Sequence, residues 1–229
     1  MLRTALLALT LVTTAHATAA TPQNRRYADI QTFLNDTQKQ NPHVARVFDL
    51  TTNDTGQVIQ GIALGSGPVH HLLVGTHHGN EYGSTEVALA TIENLAEKPI
   101  PGVTVYIIPV LNVSGYNRRS RNEDGRDSNR DYPSPCLSGD HFNLKSTSAL
   151  ADFVAKEDIT ASITLHTFSP AVLYPWGIST HDITTGNDDQ FIELAQIAAS
   201  TSHYAVGNST ELLYPADGTF EDWAYWQHG

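Results

Sequence analysis

Two short segments of this chain carry residue types that bind metal ions. Gly75-Thr76-His77-His78-Gly79-Asn80-Glu81 sets a His-x-x-Glu pair in a Gly-rich turn, and Thr164-Leu165-His166-Thr167 adds an imidazole 85 residues after Glu81. Each segment closes an apolar run of β-forming residues. Two imidazole nitrogens and one carboxylate hold zinc by three bonds and leave its fourth position open to water, which marks hydrolytic rather than structural sites. His77, four residues from Glu81, competes with His78 as the first ligand, although the His-x-x-Glu spacing favours His78. Each feature alone has an ordinary reading. The pair could be a surface ion pair or a cap, and a lone strand-end His is usually a hydrogen-bonded core residue. Their shared position at strand ends makes His78, Glu81 and His166 a candidate Zn2+ site.

Residues 112–132 lie between these segments and carry five of the chain's 13 Lys and Arg residues, all of them Arg. A solvated charged loop is the plain alternative. Against it stands the choice of Arg throughout, because guanidinium is a planar fork that grips a carboxylate at two points, whereas ammonium is a point charge. Arginines beside a zinc site would bind a free carboxylate and stabilise an oxyanion.

Delivering these groups to one place requires an ordered scaffold. Ile30, Phe33 and Leu34 fall at helical spacing within Tyr27–Gln40. Short β-rich runs at 44–50 and 58–64 flank the turn-forming residues 51–56, as in a hairpin. Further strands are expected at 70–75, 103–110 and Ile159–Leu165, with helices at 86–95, 148–156 and 190–200. Alternating strands and helices imply an α/β fold with a mixed, largely parallel central sheet covered by helices on both faces. In such sheets ligands bind beyond the carboxyl ends of the strands, where both candidate segments fall.

The chain has 229 residues, 40% hydrophobic and 16% charged, which suits one domain over 21–229. Residues 1–20 differ: a basic start at Arg3, an apolar stretch over 5–14 and small residues around Ala17 and Ala19 read as a secretory signal peptide. That implies a secreted or periplasmic protein, and no later segment has the apolar length of a membrane span. The formal charge of −11 argues against nucleic acid or anionic membrane as partner. Cys136 is the sole cysteine, so no internal disulfide forms, and it reads as a bystander. Asn-x-Ser/Thr sequons stand at Asn35, Asn53, Asn112 and Asn208.

These segments together resemble the zinc metallocarboxypeptidases of the funnelin, carboxypeptidase A/B-like, type. The resemblance covers nearly the whole chain after the signal segment. His78 and Glu81 match the family's His-x-x-Glu, and His166 its third zinc ligand. Residues 125–132, Gly-Arg-Asp-Ser-Asn-Arg-Asp-Tyr, are similar to its Gly-x-Asp-x-Asn-Arg-Asn-Phe. That match implies that Asn129 and Arg130 hold the terminal carboxylate of a peptide substrate, and that Arg121 polarises the scissile carbonyl. Residues 173–177, Leu-Tyr-Pro-Trp-Gly, look like the segment after the third ligand. Residues 213–218 with Asp222-Trp223 resemble the mobile tyrosine loop, so Tyr214 would close over the substrate. Glu221 falls at the bottom of the pocket for the C-terminal side chain, where an acid would favour Lys or Arg; it could equally be an exposed loop glutamate beside Asp222.

The resemblance places the general base, a glutamate, on a strand after the segment matched by Asp222-Trp223, and Glu221 and Glu211 are poor substitutes for it. The sequence ends at Gly229, so the expectation is a metallocarboxypeptidase-like fold lacking its C-terminal strand or strands, from a fragment or a truncated product. No prodomain is visible before Tyr27. The implied activity is zinc-dependent removal of the C-terminal residue from peptides by a monomeric enzyme. A related cell-wall amidase or amino-acid deacylase, and a non-catalytic carboxylate binder, are the alternatives.

Overall fold

The computed structural model describes residues 25–229 except 137 and 168; the expected signal peptide, 1–20, lies outside the described residues. The chain opens on helix α1 (Tyr27–Gln40), as its periodicity predicts, burying Tyr27, Ile30, Leu34 and Thr37. Strands β1 (Ala45–Thr52) and β2 (Val58–Gly65) form the expected antiparallel hairpin. Asn53 Oδ1 closes the turn by accepting from the backbone N–H groups of Thr55 and Gln57. Then follow β3 (Val69–Gly75), α2 (Tyr82–Glu97), β4 (Val103–Ile108), α3 (Val113–Arg118), α4 (Lys145–Lys156) and β5 (Ile159–Leu165).

The five strands form one sheet in the order β1-β2-β4-β3-β5. β3 pairs in parallel with both β4 and β5, whereas β2 runs antiparallel to β1 and β4. Four strands therefore share one direction and only β2 opposes them. After β3 the chain steps to one side to form β4, then returns to the other side to form β5. This reversal of strand order opens a crevice at the carboxyl ends of β3 and β5, where open α/β sheets bind ligands. The two candidate metal-binding segments leave from these two ends.

α4 packs on the sheet through Phe153, which stacks on Phe48 at 5.0 Å and meets Tyr106 edge-on at 5.2 Å. Gly61, paired with Phe48, leaves room for that ring; a Cβ there would stand 2.5 Å from Phe48 Cζ.

Beyond the main sheet, β6 (Ala171–Tyr174) and β7 (Ala205–Asn208) pair in parallel, with α5 (Asp188–Ala199) between them in sequence. α6 (Ser209–Leu212) and α7 (Phe220–His228) close the described chain.

Several boundaries differ from the sequence reading. β4 stops at Ile108 rather than running to Val110, since Pro109 cannot donate to a ladder. α3 forms at the start of the Arg-rich segment, where the sequence reading placed no helix, its start capped by Asn112 Oδ1 accepting from Gly115 N at 2.7 Å. Glu221 lies not in a loop but in the first turn of α7. Thr219 caps that helix, and Phe220 and Trp223, three apart, anchor it in the core.

Candidate metal centre

The turn after β3 is built by Thr76. It takes a left-handed φ of 58°, unusual for a β-branched residue, and is fully buried. Bonds to Ser84 Oγ, Thr85 Oγ1 and Pro109 O hold it there, which is why Ser84 and Thr85 sit inward on the first turn of α2. From this turn His77 enters the core and His78 enters the crevice. His77 is wholly buried, hydrogen-bonded through Nε2 to Tyr132 Oη at 3.0 Å, and packed against Phe220. Burial, reinforced by the neighbouring His166 and His78, holds its pKa well below the ordinary value. Gly79 must be glycine, since a Cβ there would lie 2.2 Å from the carbonyl carbon of Gly115.

His78 Nδ1 stands 2.9 Å from Glu81 Oε1 and 3.1 Å from His166 Nδ1, and His166 Nδ1 stands 3.0 Å from Glu81 Oε2. All the ligand atoms of this trio lie within 4.8 Å of one another. Two ring nitrogens and a carboxylate thus face one point, the arrangement of donor atoms that a cation requires. Tetrahedral zinc with bonds of about 2.0–2.1 Å sets its ligands about 3.3 Å apart, close to the observed spacings. The donor set therefore fits zinc.

The electrostatics agree. Burial works against charge on His78, but the Asp127 and Glu81 carboxylates outweigh it and raise its pKa. Burial likewise opposes an ionised Glu81, yet hydrogen bonds with His166 and His78 hold it well below the usual carboxylate range. An anion is thus fixed in a mostly buried crevice.

Asp127 escaped the sequence reading as a functional residue. Its Oδ1 faces His78 Nε2 at 3.1 Å, while its Oδ2 accepts from Arg121 Nε and Nη2 at 3.0 and 2.8 Å. A carboxylate on the outer nitrogen fixes the ring's orientation and leaves Nδ1 as the inward donor atom. Its position two residues before Asn129, inside the Gly-x-Asp-x-Asn-Arg pattern, was the available signal. Asp127→Ala is expected to weaken zinc binding about 10- to 100-fold with the fold retained, measurable by competition with a chelator. Unchanged affinity would remove Asp127 from the centre.

The other candidates divide. Arg121 reaches Glu81 Oε1 through Nη1 at 3.7 Å, so it borders the cluster. Asn129 Nδ2 lies 3.5 Å from His166 Nε2, and its Oδ1 accepts from Phe220 N. Arg130, one residue on, turns its guanidinium back onto the carbonyl of Asn129. Tyr214 is exposed, and its ring has no contact with the cluster among those described. Its loop nonetheless approaches Arg130, since Gly218 packs on the Arg130 carbonyl. Glu221 Oε2 is buried without a hydrogen-bond partner. Beside it, Asp222 accepts from Gly177 N with both oxygens.

The fold and this candidate metal centre point to one protein family, which comparison with known proteins identifies. The chain belongs to the zinc carboxypeptidase family, whose profile matches residues 30–229. Carboxypeptidase O of Bos taurus is 28% identical over 156 residues, covering 52% of this chain and 41% of that protein. The chain spans less than half the length of several curated relatives it matches. The crystal structure of carboxypeptidase A from Helicoverpa armigera superposes with a TM-score of 0.79 at 19% identity, covering 88% of this chain and 61% of that one. Murein-tripeptide amidase MpaA from Escherichia coli O157 superposes at 0.54 with 15% identity, covering 79% and 83%. Among the described residues no helix is long and apolar enough to cross a membrane.

Proposed function

We propose that this protein is an exported zinc-dependent exopeptidase that removes the C-terminal residue of peptides. The observation that carries this reading is the convergence of His78, Glu81 and His166 beside Arg121 and Asn129 at the strand-order reversal. His78, Glu81 and His166 would hold the metal. Bound zinc supplies a Lewis acid and lowers the pKa of a coordinated water.

The protein's own groups do the rest. Asp127 keeps His78 in the tautomer that presents Nδ1. Arg121, directed by Asp127 toward the cluster, stabilises charge developing on the scissile carbonyl oxygen. Asn129 and Arg130 receive the substrate's terminal carboxylate, and Tyr214 covers the site. Among the described residues the carboxylates hydrogen-bonded to the two histidines are Glu81 and Asp127, and both are already engaged. Neither suits the role of proton acceptor for the attacking water, which the family resemblance gives to another glutamate.

Glu221 sets the preference. A carboxylate oxygen buried without a partner at the start of α7 would pair with a Lys or Arg side chain at the substrate's C-terminus. The test is a panel of N-blocked dipeptides ending in Lys, Arg, Leu or Phe, offered beside a cell-wall tripeptide to a zinc-loaded, full-length version of the protein that carries the general-base glutamate. Release of Lys or Arg is expected to be preferred, and Glu221→Gln to reduce that preference about 10- to 100-fold. Turnover of the cell-wall tripeptide alone would support the amidase alternative. Tight binding of the dipeptides without cleavage would support the carboxylate binder.

A further inference from the structure

Another buried carboxyl, that of Glu123, lies outside the centre and has no part in the proposed reaction. Glu123 is 0% exposed, accepts from Ser146 Oγ at 2.6 Å through Oε2, and leaves Oε1 without a hydrogen-bond partner. It stands on a small hairpin. Glu123 and Arg126 exchange backbone hydrogen bonds of 2.8 and 2.9 Å, while Asp124 (φ 47°) and Gly125 (φ 85°) take the two left-handed positions of a tight turn.

Two residues outside Glu123 and one outside Arg126 stand Arg121 and Asp127, the pair that faces Glu81 and His78. The base of the hairpin is fixed, because Arg121 O accepts from Gly79 N and from Asn112 Nδ2. Farther out, two ties are seen among the described residues. The Arg118–Asp124 ion pair is largely exposed and screened by solvent. The Glu123–Ser146 bond is wholly buried and reaches the first turn of α4.

We propose that Glu123 is a positioning residue: by pinning the hairpin to the start of α4, it sets where Arg121 and Asp127 stand against Glu81 and His78. The inference rests on the metal-centre reading above, because it concerns how that centre is held. An uncharged carboxyl suits the task. Asp124 from the same hairpin, Asp54 from the β1–β2 turn and Asp131 from the segment before α4 all face it, and Lys145 of α4 is engaged with Asp54. Burial, with those three acids, pushes its pKa up to about 7 despite the Ser146 bond. Ionisation above neutrality places an unpaired charge in a dry position among acids, so the hairpin is expected to loosen, moving Arg121 and Asp127 with it.

The test is zinc affinity from pH 5.5 to 8.5, by chelator competition, for the wild type, E123Q, E123A, S146A and H78A. E123Q keeps the acceptor for Ser146 and is expected to match the wild type within about twofold at pH 6. E123A and S146A are expected to bind about tenfold more weakly there, the lower end of the effect of groups that orient ligands. Wild-type affinity rises with pH as the histidines lose protons, then flattens above about pH 7. The E123Q curve is expected to keep rising and to end several-fold tighter at pH 8.5.

Superposable wild-type and E123Q curves would overturn the proposal, even with E123A weakened, since that loss alone would reflect disturbed packing. If E123A fails to fold, the curves of E123Q and S146A decide the matter. Equal zinc affinity in H78A and wild type would instead defeat the metal-centre reading itself, an outcome distinct from the first.

Discussion

Replacing His78 or His166 with alanine is expected to weaken zinc binding about a thousandfold, while His77→Ala leaves it within about tenfold. Closed zinc sites in small domains bind with apparent free energies of about 10–16 kcal/mol. Losing one of three protein ligands forfeits roughly a third of a mid-range value, about 4 kcal/mol, which corresponds to about 10³ in Kd. His77 is adjacent in sequence but points the other way, toward Tyr132 and Phe220. Its truncation should register in stability, by about 2–4 kcal/mol, because it opens a cavity in an aromatic cluster and strands the Tyr132 hydroxyl. Isothermal titration with zinc, paired with urea unfolding of the metal-free proteins, reads both effects. A His77→Ala protein that lost zinc as completely as His78→Ala would invert the assignment.

The second large effect concerns pH. Two buried carboxyls, Glu123 and Asp222, have pKa values pushed up to about 7, in each case chiefly by burial. For Asp222 the neighbouring Glu221 and Asp217 add to burial, and hydrogen bonds from Gly177 offset part of it. Both groups titrate near pH 4 in the unfolded chain. Between about pH 4 and 7 the folded protein therefore holds protons that the unfolded chain has released, and stability falls as pH rises through that window. Above about 7 the loss is complete and the curve levels. Each group contributes on the order of 3–4 kcal/mol at most, since one pKa unit is worth about 1.4 kcal/mol. Urea unfolding of the metal-free protein is expected to show lower stability at pH 8 than at about pH 6.5; below about pH 6.5 the lowered pKa of His77 acts in the opposite sense. Glu123→Gln should recover about 1–3 kcal/mol at pH 8 and little at pH 5. Equal wild-type stability at the two pH values would contradict these assignments.

Much of this architecture was legible in the sequence because it is local. The Ile30–Leu34 spacing gives α1, and the apolar run before Gly75 gives β3. Parallel pairing of β3 with β4 and β5 follows from the helices between them. The trio His78, Glu81 and His166 could be named because the two segments that carry them each follow a strand that a parallel sheet delivers to one edge.

What stayed hidden depends on tertiary contacts. β2 reverses the sheet's direction through a hairpin, an exception that alternating strands and helices do not announce. β6 and β7 are four residues each, too short for periodicity, and find one another across α5. α7 carries so many aromatic residues that its helical spacing is masked until Phe220 and Trp223 are seen to be buried. Asp127 and Glu123 look like members of a charged loop. Only folding shows that one orients His78 and that the other is buried against Ser146.

The central claim is tested most directly by a crystal of the zinc-loaded protein measured on both sides of the zinc absorption edge. One anomalous peak is expected about 2.0–2.2 Å from His78 Nδ1, His166 Nδ1 and a Glu81 carboxylate oxygen together. A peak seated elsewhere, or a trio with no metal density at saturating zinc, would contradict it.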